Sequence, residues 1–179
     1  MNGNELWIIL GAYVGFLLAA VCFGLIVQTV VCWFLAGCIT KIPEPYRELA
    51  PGSAWVLLAA YVVGYIPCFG GIFLAVYNFL FWPKLSRSFK AYFDSTGEQE
   101  VGDCGEKIAM IYCIGHAIMA AMAFFGWIPY LGFFISIAAC GLGMIMFVFW
   151  IILLVKAGQY KGMIPDDVDS TPEFPITNG

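Results

Sequence analysis

Thirty residues, from Ser53 to Trp82, are apolar almost throughout, yet they are broken in the middle by Gly64-Tyr65-Ile66-Pro67 and Gly70-Gly71. As one straight helix they would reach about 45 Å, against a bilayer hydrocarbon core of about 30 Å. Pro67 lacks an amide donor and disfavours helix at Ile66, and the paired glycines weaken the helical stretch after them. Two shorter helices meeting at residues 64–71 account for the length better. The first, residues 53–65, reaches only about 20 Å. It either spans a thinned bilayer or enters part-way and returns as a re-entrant segment, its broken backbone buried against protein.

Lipid is the solvent such a chain implies. Of 179 residues, 62% are hydrophobic and 11% charged, where a soluble domain carries about 25% charged residues. Mean hydropathy is +0.89. Residues 6–39 form one apolar run with no basic flank before it, too long for a signal-peptide core, and are expected to remain as an anchor. Within it Gly11, Gly15 and Ala19 recur every four residues, and Ala20, Gly24 and Gln28 continue the stripe. Small residues at this spacing admit a second helix, and Gln28 can hydrogen-bond across the contact. Glycine is also simply common in membrane helices, which is the plainer reading.

Residues 41–48 form a polar loop with two prolines, and Pro51-Gly52 marks a second break before a helix capped by Gly52 or Ser53. Residues 82–93 read as a helix emerging from the membrane. Trp82, Leu85, Phe89, Tyr92 and Phe93 lie on one side, expected at the lipid boundary. Lys84, Arg87 and Lys90 lie on the other, where they can contact lipid headgroups. Residues 95–106 read as a polar loop. Residues 108–125 and 133–155 are spans joined by the turn Gly126-Trp127-Ile128-Pro129-Tyr130-Leu131-Gly132. That turn echoes Gly64-Tyr65-Ile66-Pro67 and Gly70, with four identities in seven positions, 62 residues earlier. The echo is either an internal parallel repeat or convergence on a good interfacial turn.

The charges choose between topologies. If residues 53–82 go in and come back, and residues 108–155 do the same, all eight Lys and Arg residues share one side. The positive-inside rule then puts that side in the cytoplasm and the N-terminus outside. The expected fold class is all-α: a polytopic helical membrane protein of about five membrane segments, one anchor plus two helical hairpins. Residues 1–160 form the membrane domain. Residues 161–179, with four acidic residues and three prolines, form an acidic, disordered cytoplasmic tail.

Several stretches resemble a family of small uncharacterised bacterial multi-pass membrane proteins. They are Ile42-Pro43-Glu44 with Arg47, Leu49, Pro51-Gly52 and Trp55; Ile66-Pro67 with Phe69; Ser86 with Ser88-Phe89; Gly102-Asp103 with Gly105; and Trp150-Ile151 with Val155-Lys156, Gly158 and Tyr160-Lys161. The chain departs from the pattern by extra residues between Trp55 and Ile66 and between Pro67 and Ser86. The resemblance implies architecture and bacterial origin, hence the inner membrane, and carries no activity.

Chemistry is sparse. No phosphate loop, HExxH, G-x-S-x-G or haem-attachment motif is present, and no acidic or basic residue lies inside the apolar runs. Coupled transporters usually need such a charge at depth. Seven cysteines are scattered without a C-x-x-C pair and read as small packing residues. His116, the only histidine, shares a face with Ala109, Cys113 and Ala120. Cys113 and His116 could offer two soft ligands, but a full metal site needs more, so no metal, cofactor or catalytic residue is expected. The plainer histidine is neutral and bonded to a backbone carbonyl. Gln28, Asn78, His116 and Ser136 are the candidate intramembrane polar contacts, expected to link helices. These features suggest a non-catalytic accessory or assembly subunit of a larger membrane complex. Its partners would be lipids and other membrane subunits, and no nucleic acid. The alternative is a passive pore or small-solute carrier.

Overall fold

A computed structural model describes residues 3–66, 69–97, 101–126, 128 and 130–165. Among these the chain is all helical: α1 (Gly3–Lys41), a 3-10 turn (Glu44–Tyr46), α2 (Ser53–Gly64), α3 (Gly70–Thr96), α4 (Glu106–Phe125) and α5 (Leu131–Met163). The helical part therefore runs three residues past the expected domain boundary at residue 160. The acidic tail from residue 166 on lies outside the described residues. Three helices are long and apolar enough to cross a membrane: Trp7–Lys41, Glu106–Phe125 and Leu131–Met163. α2 has only 12 residues, and the second half of α3 carries Lys84, Arg87, Lys90 and Asp94.

The proline-glycine interruption does turn the chain back. α2 ends at Gly64 and α3 begins at Gly70. The two run antiparallel, because the Tyr77 hydroxyl, two turns into α3, donates to the Ser53 carbonyl at the start of α2, 2.9 Å away. α4 and α5 form a second hairpin. Gly115 of α4 lies directly under the Met146 side chain, and Gly105 ahead of α4 lies beside Lys156 of α5. α1 meets α5 near their C-terminal ends, where the Cys38 thiol points at the Ala157 carbonyl (3.8 Å) and Gly158 lies against the Phe34 ring.

The two turns share two closing hydrogen bonds. The Ile66 amide donates to the Val63 carbonyl (2.9 Å) and the Gly70 amide to the Ile66 carbonyl (3.0 Å). In the second turn Ile128 donates to Phe125 (3.2 Å) and Gly132 to Ile128 (2.8 Å), the same bonds displaced by 62 residues. The sequence echo thus extends to two backbone hydrogen bonds.

This topology gathers the basic residues at one end of the bundle. The Arg87 guanidinium reaches Glu48 (3.5 Å) and Glu106 (4.0 Å), tying the first loop, α3 and the start of α4 together. The Ser88 hydroxyl accepts from the Glu48 amide (2.9 Å) and Lys161 lies over the Phe34 ring (5.6 Å). Asp103 caps α4: its carboxylate accepts from the amides of Gly105 (3.1 Å) and Lys107 (3.4 Å). Burial alone would raise its pKa, but these N–H groups and nearby lysines hold it below the usual carboxylate value.

The same end holds the core. Buried residues cluster in 32–42 around the end of α1, 81–93 of α3, 109–113 of α4 and 153–164 around the end of α5. The expectation that the apolar side of residues 82–93 rests on lipid is corrected here. Trp82, Leu85, Phe89, Tyr92 and Phe93 are buried in protein. Tyr46 packs edge-on against Tyr92 (5.8 Å), and Tyr160 of α5 packs against both Phe89 (5.6 Å) and Phe93 (5.9 Å). An amphipathic stripe only demands an apolar cover, and here the first loop and α5 supply it. The opposite half of the bundle exposes large apolar side chains on all sides, from Trp7 and Phe16 to Phe69, Phe124 and Phe133.

Candidate functional site

α1 and α5 touch near their C-terminal ends and leave a gap lined by Gln28 and Trp150. α2 and α4 close the back of this gap. The resulting cavity measures about 420 Å³, within the usual range for a small-molecule site. Its polar groups are Gln28, Tyr61, Tyr112, His116 and Trp150, with Phe23 and Phe147 on the rim. Four helices contribute, and no lining residue is charged.

His116 Nδ1 lies 3.2 Å from the Tyr112 carbonyl. A carbonyl only accepts, so Nδ1 carries the proton and Nε2 keeps its lone pair. The imidazole also rests on the Tyr112 ring, with centroids 4.3 Å apart. The hydroxyls of Tyr61 and Tyr112 are 3.4 Å apart, well beyond the roughly 2.7–2.8 Å of a good O–H···O bond. Among the described residues Gln28 Oε1 and Trp150 Nε1 are buried and have no hydrogen-bond partner. The Trp150 N–H lies near the Tyr61 hydroxyl but outside hydrogen-bonding geometry. The cavity therefore offers acceptors at Gln28 and His116, donors at Trp150 and the phenol pair, and apolar walls.

Of the four polar residues singled out from sequence, the structure brings Gln28 and His116 together at this cavity. Gln28 does not hydrogen-bond across a helix contact as expected. Asn78 lies elsewhere, fully buried in α3. Its side-chain oxygen accepts from Trp82 Nε1 (3.1 Å), and its backbone carbonyl accepts from the Cys113 thiol (3.2 Å), so it links α3 to α4. Ser136 is exposed and donates to the Gly132 carbonyl of its own turn (2.8 Å), so it links no helices.

Comparison with known proteins finds no matching family model, no similar curated protein and no similar solved structure. A functional reading therefore rests on the residues of the chain itself.

Among the described residues no group of three or more His, Cys, Asp and Glu side chains is placed to hold a metal. Burial pushes the Cys104 thiol up to about 11, despite nearby Lys90, so it stays protonated and weakly nucleophilic at neutral pH. The helix-packing glycines divide. A methyl on Gly24 would meet the Tyr65 hydroxyl at 2.9 Å, so Gly24 does seat α1 on the bundle. A methyl on Gly11 or Gly15 would meet nothing within 4 Å, and Ala19 is exposed. Of the proposed headgroup contacts, Lys90 is engaged by Asp94 (2.6 Å) and Arg87 by two glutamates, while Lys84 is only partly buried. Sequence reasoning missed Tyr61, Tyr112 and Trp150. The available signal was Tyr112 four residues before His116, which puts both on one helix face.

Proposed function

We propose that the chain is a multi-pass membrane protein serving as a non-catalytic accessory or assembly subunit of a larger membrane complex. The observation that carries this is α1. Every residue from 7 to 20 is exposed, while the second half of the same helix packs into the bundle. The first hairpin lies along α4, where a methyl added at Gly71 would meet Ala120 at 3.8 Å. With 12 residues, α2 reaches only about 18 Å, and as a re-entrant segment it enters part-way. A transmembrane helix of another subunit would then fill the space beside Gly11 and Gly15, where small residues allow close approach.

In a gentle extract from native membranes the chain is expected in a particle larger than itself plus detergent, with a second polypeptide at fixed ratio. Replacing residues 7–20 by polyleucine should release that polypeptide and leave the chain folded. A monodisperse monomer from native membranes would sink the accessory role.

The orientation follows from the basic end. Facing it to the cytoplasm satisfies the positive-inside rule, with the N-terminus outside, the C-terminus inside and, on the motif resemblance, a bacterial inner membrane. In a variant with its native cysteines removed, single cysteines replacing Lys41 and Arg87 should both be protected from an impermeant maleimide in intact cells. Opposite reactivity of the two would overturn the paired-hairpin layout.

The second reading, a passive pore or small-solute carrier, is favoured by the cavity and its five polar groups. A monomeric particle combined with solute flux in liposomes would prefer it.

A further inference from the structure

We propose that the cavity between α1, α2, α4 and α5 is a binding site for an uncharged, hydroxyl-bearing membrane amphiphile. The inference rests on the chain lying in a membrane, and is independent of its accessory role.

The chemistry of the walls selects the ligand. Gln28 Oε1 needs a donor and Trp150 Nε1 needs an acceptor, and both are buried without partners. A hydroxyl is both donor and acceptor, so it can serve either, and His116 Nε2 provides a further acceptor in the same cavity. A plain acyl chain would leave the Gln28 carbonyl unsatisfied, at its full desolvation cost, and the indole N–H with only the poorly placed Tyr61 hydroxyl. A phosphate or carboxylate would be buried against walls with no cation among them.

Depth selects it again. Gln28 lies thirteen residues before Lys41 on α1, about 20 Å below the basic end of the bundle. Phospholipid headgroups are held at the interface, whereas uncharged amphiphiles move through the hydrocarbon and can present a hydroxyl at this level. The approach is lateral. Phe23 and Phe147 on the rim are exposed, and Tyr112 and Met146 at the back are buried. A molecule already dissolved in the bilayer enters between α1 and α5.

Two sources carry this chemistry: a quinol ring, which the aromatic walls would flank, and the free hydroxyl of a diacylglycerol. The full chain in phosphatidylcholine nanodiscs should be titrated separately with decyl-hydroquinone and with dioctanoylglycerol, and the bound species counted by native mass spectrometry. One of the two is expected to bind saturably, at one per chain, and the arm that binds names the source. Gln28→Leu and Trp150→Phe should each weaken it at least tenfold, with Ser136→Ala unchanged. Gln28→Leu should leave thermal stability equal or higher, because it removes an unpartnered buried carbonyl. No saturable binding in either arm, or wild-type affinity in both variants, would overturn the proposal. A chain that fails to insert into nanodiscs at all would instead refute the membrane reading.

Discussion

Replacing Trp82 by alanine is expected to cost about 3–5 kcal/mol of folding stability, the usual range for truncating a buried tryptophan. Trp82 is 1% exposed and lies edge-on to both Phe81 (5.5 Å) and Tyr112 (5.9 Å). Its indole N–H also serves Asn78 Oδ1 at 3.1 Å. Asn78 is fully buried and its Nδ2 already lacks a partner. Alanine therefore opens a void and leaves the whole Asn78 amide unsatisfied. Trp82→Phe separates the two effects. It fills most of the volume and removes only the donor, so its loss should be about 1–3 kcal/mol. Denaturant unfolding in a mild detergent, followed by circular dichroism, measures both. Should the alanine variant lose under about 1 kcal/mol, Trp82 faces detergent and the core at the basic end is misplaced.

That core shows where sequence reasoning reaches its limit. The amphipathic stripe from Trp82 to Phe93 was legible, since its spacing puts five apolar side chains on one side. What covers the stripe was not. Periodicity reports that a face is apolar, and both lipid and protein satisfy that. The deciding contacts come from Tyr46 in the first loop and Tyr160 in α5, up to 71 residues along the chain from Phe89, and no local pattern encodes them. The hairpins were legible because glycine and proline act locally, on their own and adjacent residues. The gathering of the cations followed from the hairpins.

The cavity was half legible. Gln28 and His116 stand out as polar residues in apolar runs. Tyr61, Tyr112 and Trp150 do not, because their rings count as apolar while their O–H and N–H groups supply the chemistry. Nor could spacing show that four separate helices bring these five side chains together. Ser136 stood out equally and bonds only within its own turn. A polar residue in an apolar helix does not name its partner, and the backbone four residues back satisfies a serine as well as a neighbouring helix does.

Gly70→Ala and Gly132→Ala test the two turns together, and each is expected to cost at least about 3 kcal/mol, the upper end of ordinary overpacking. A methyl group on Gly70 would run into the Val63 carbonyl oxygen, and would lie 2.8 Å from that of Gly64. A methyl group on Gly132 would run into the Gly126 carbonyl oxygen, and Gly126 stands 62 residues after Gly64. The obstacle in both cases is backbone, which cannot rotate away as a side chain can. Relief requires the hairpin to open, and the amide bonds that close it to Ile66 or Ile128 are then lost. Gly11→Ala is the matched control: nothing lies within 4 Å of that position, so its stability should hold or rise slightly, alanine being the better helix former. Similar losses for Gly70 and Gly132 would mark the echo as one device used twice, with glycine selected by the approach of a carbonyl. Tolerance at either site would mean that its turn closes some other way, and the shared geometry of the two hairpins would fall with it.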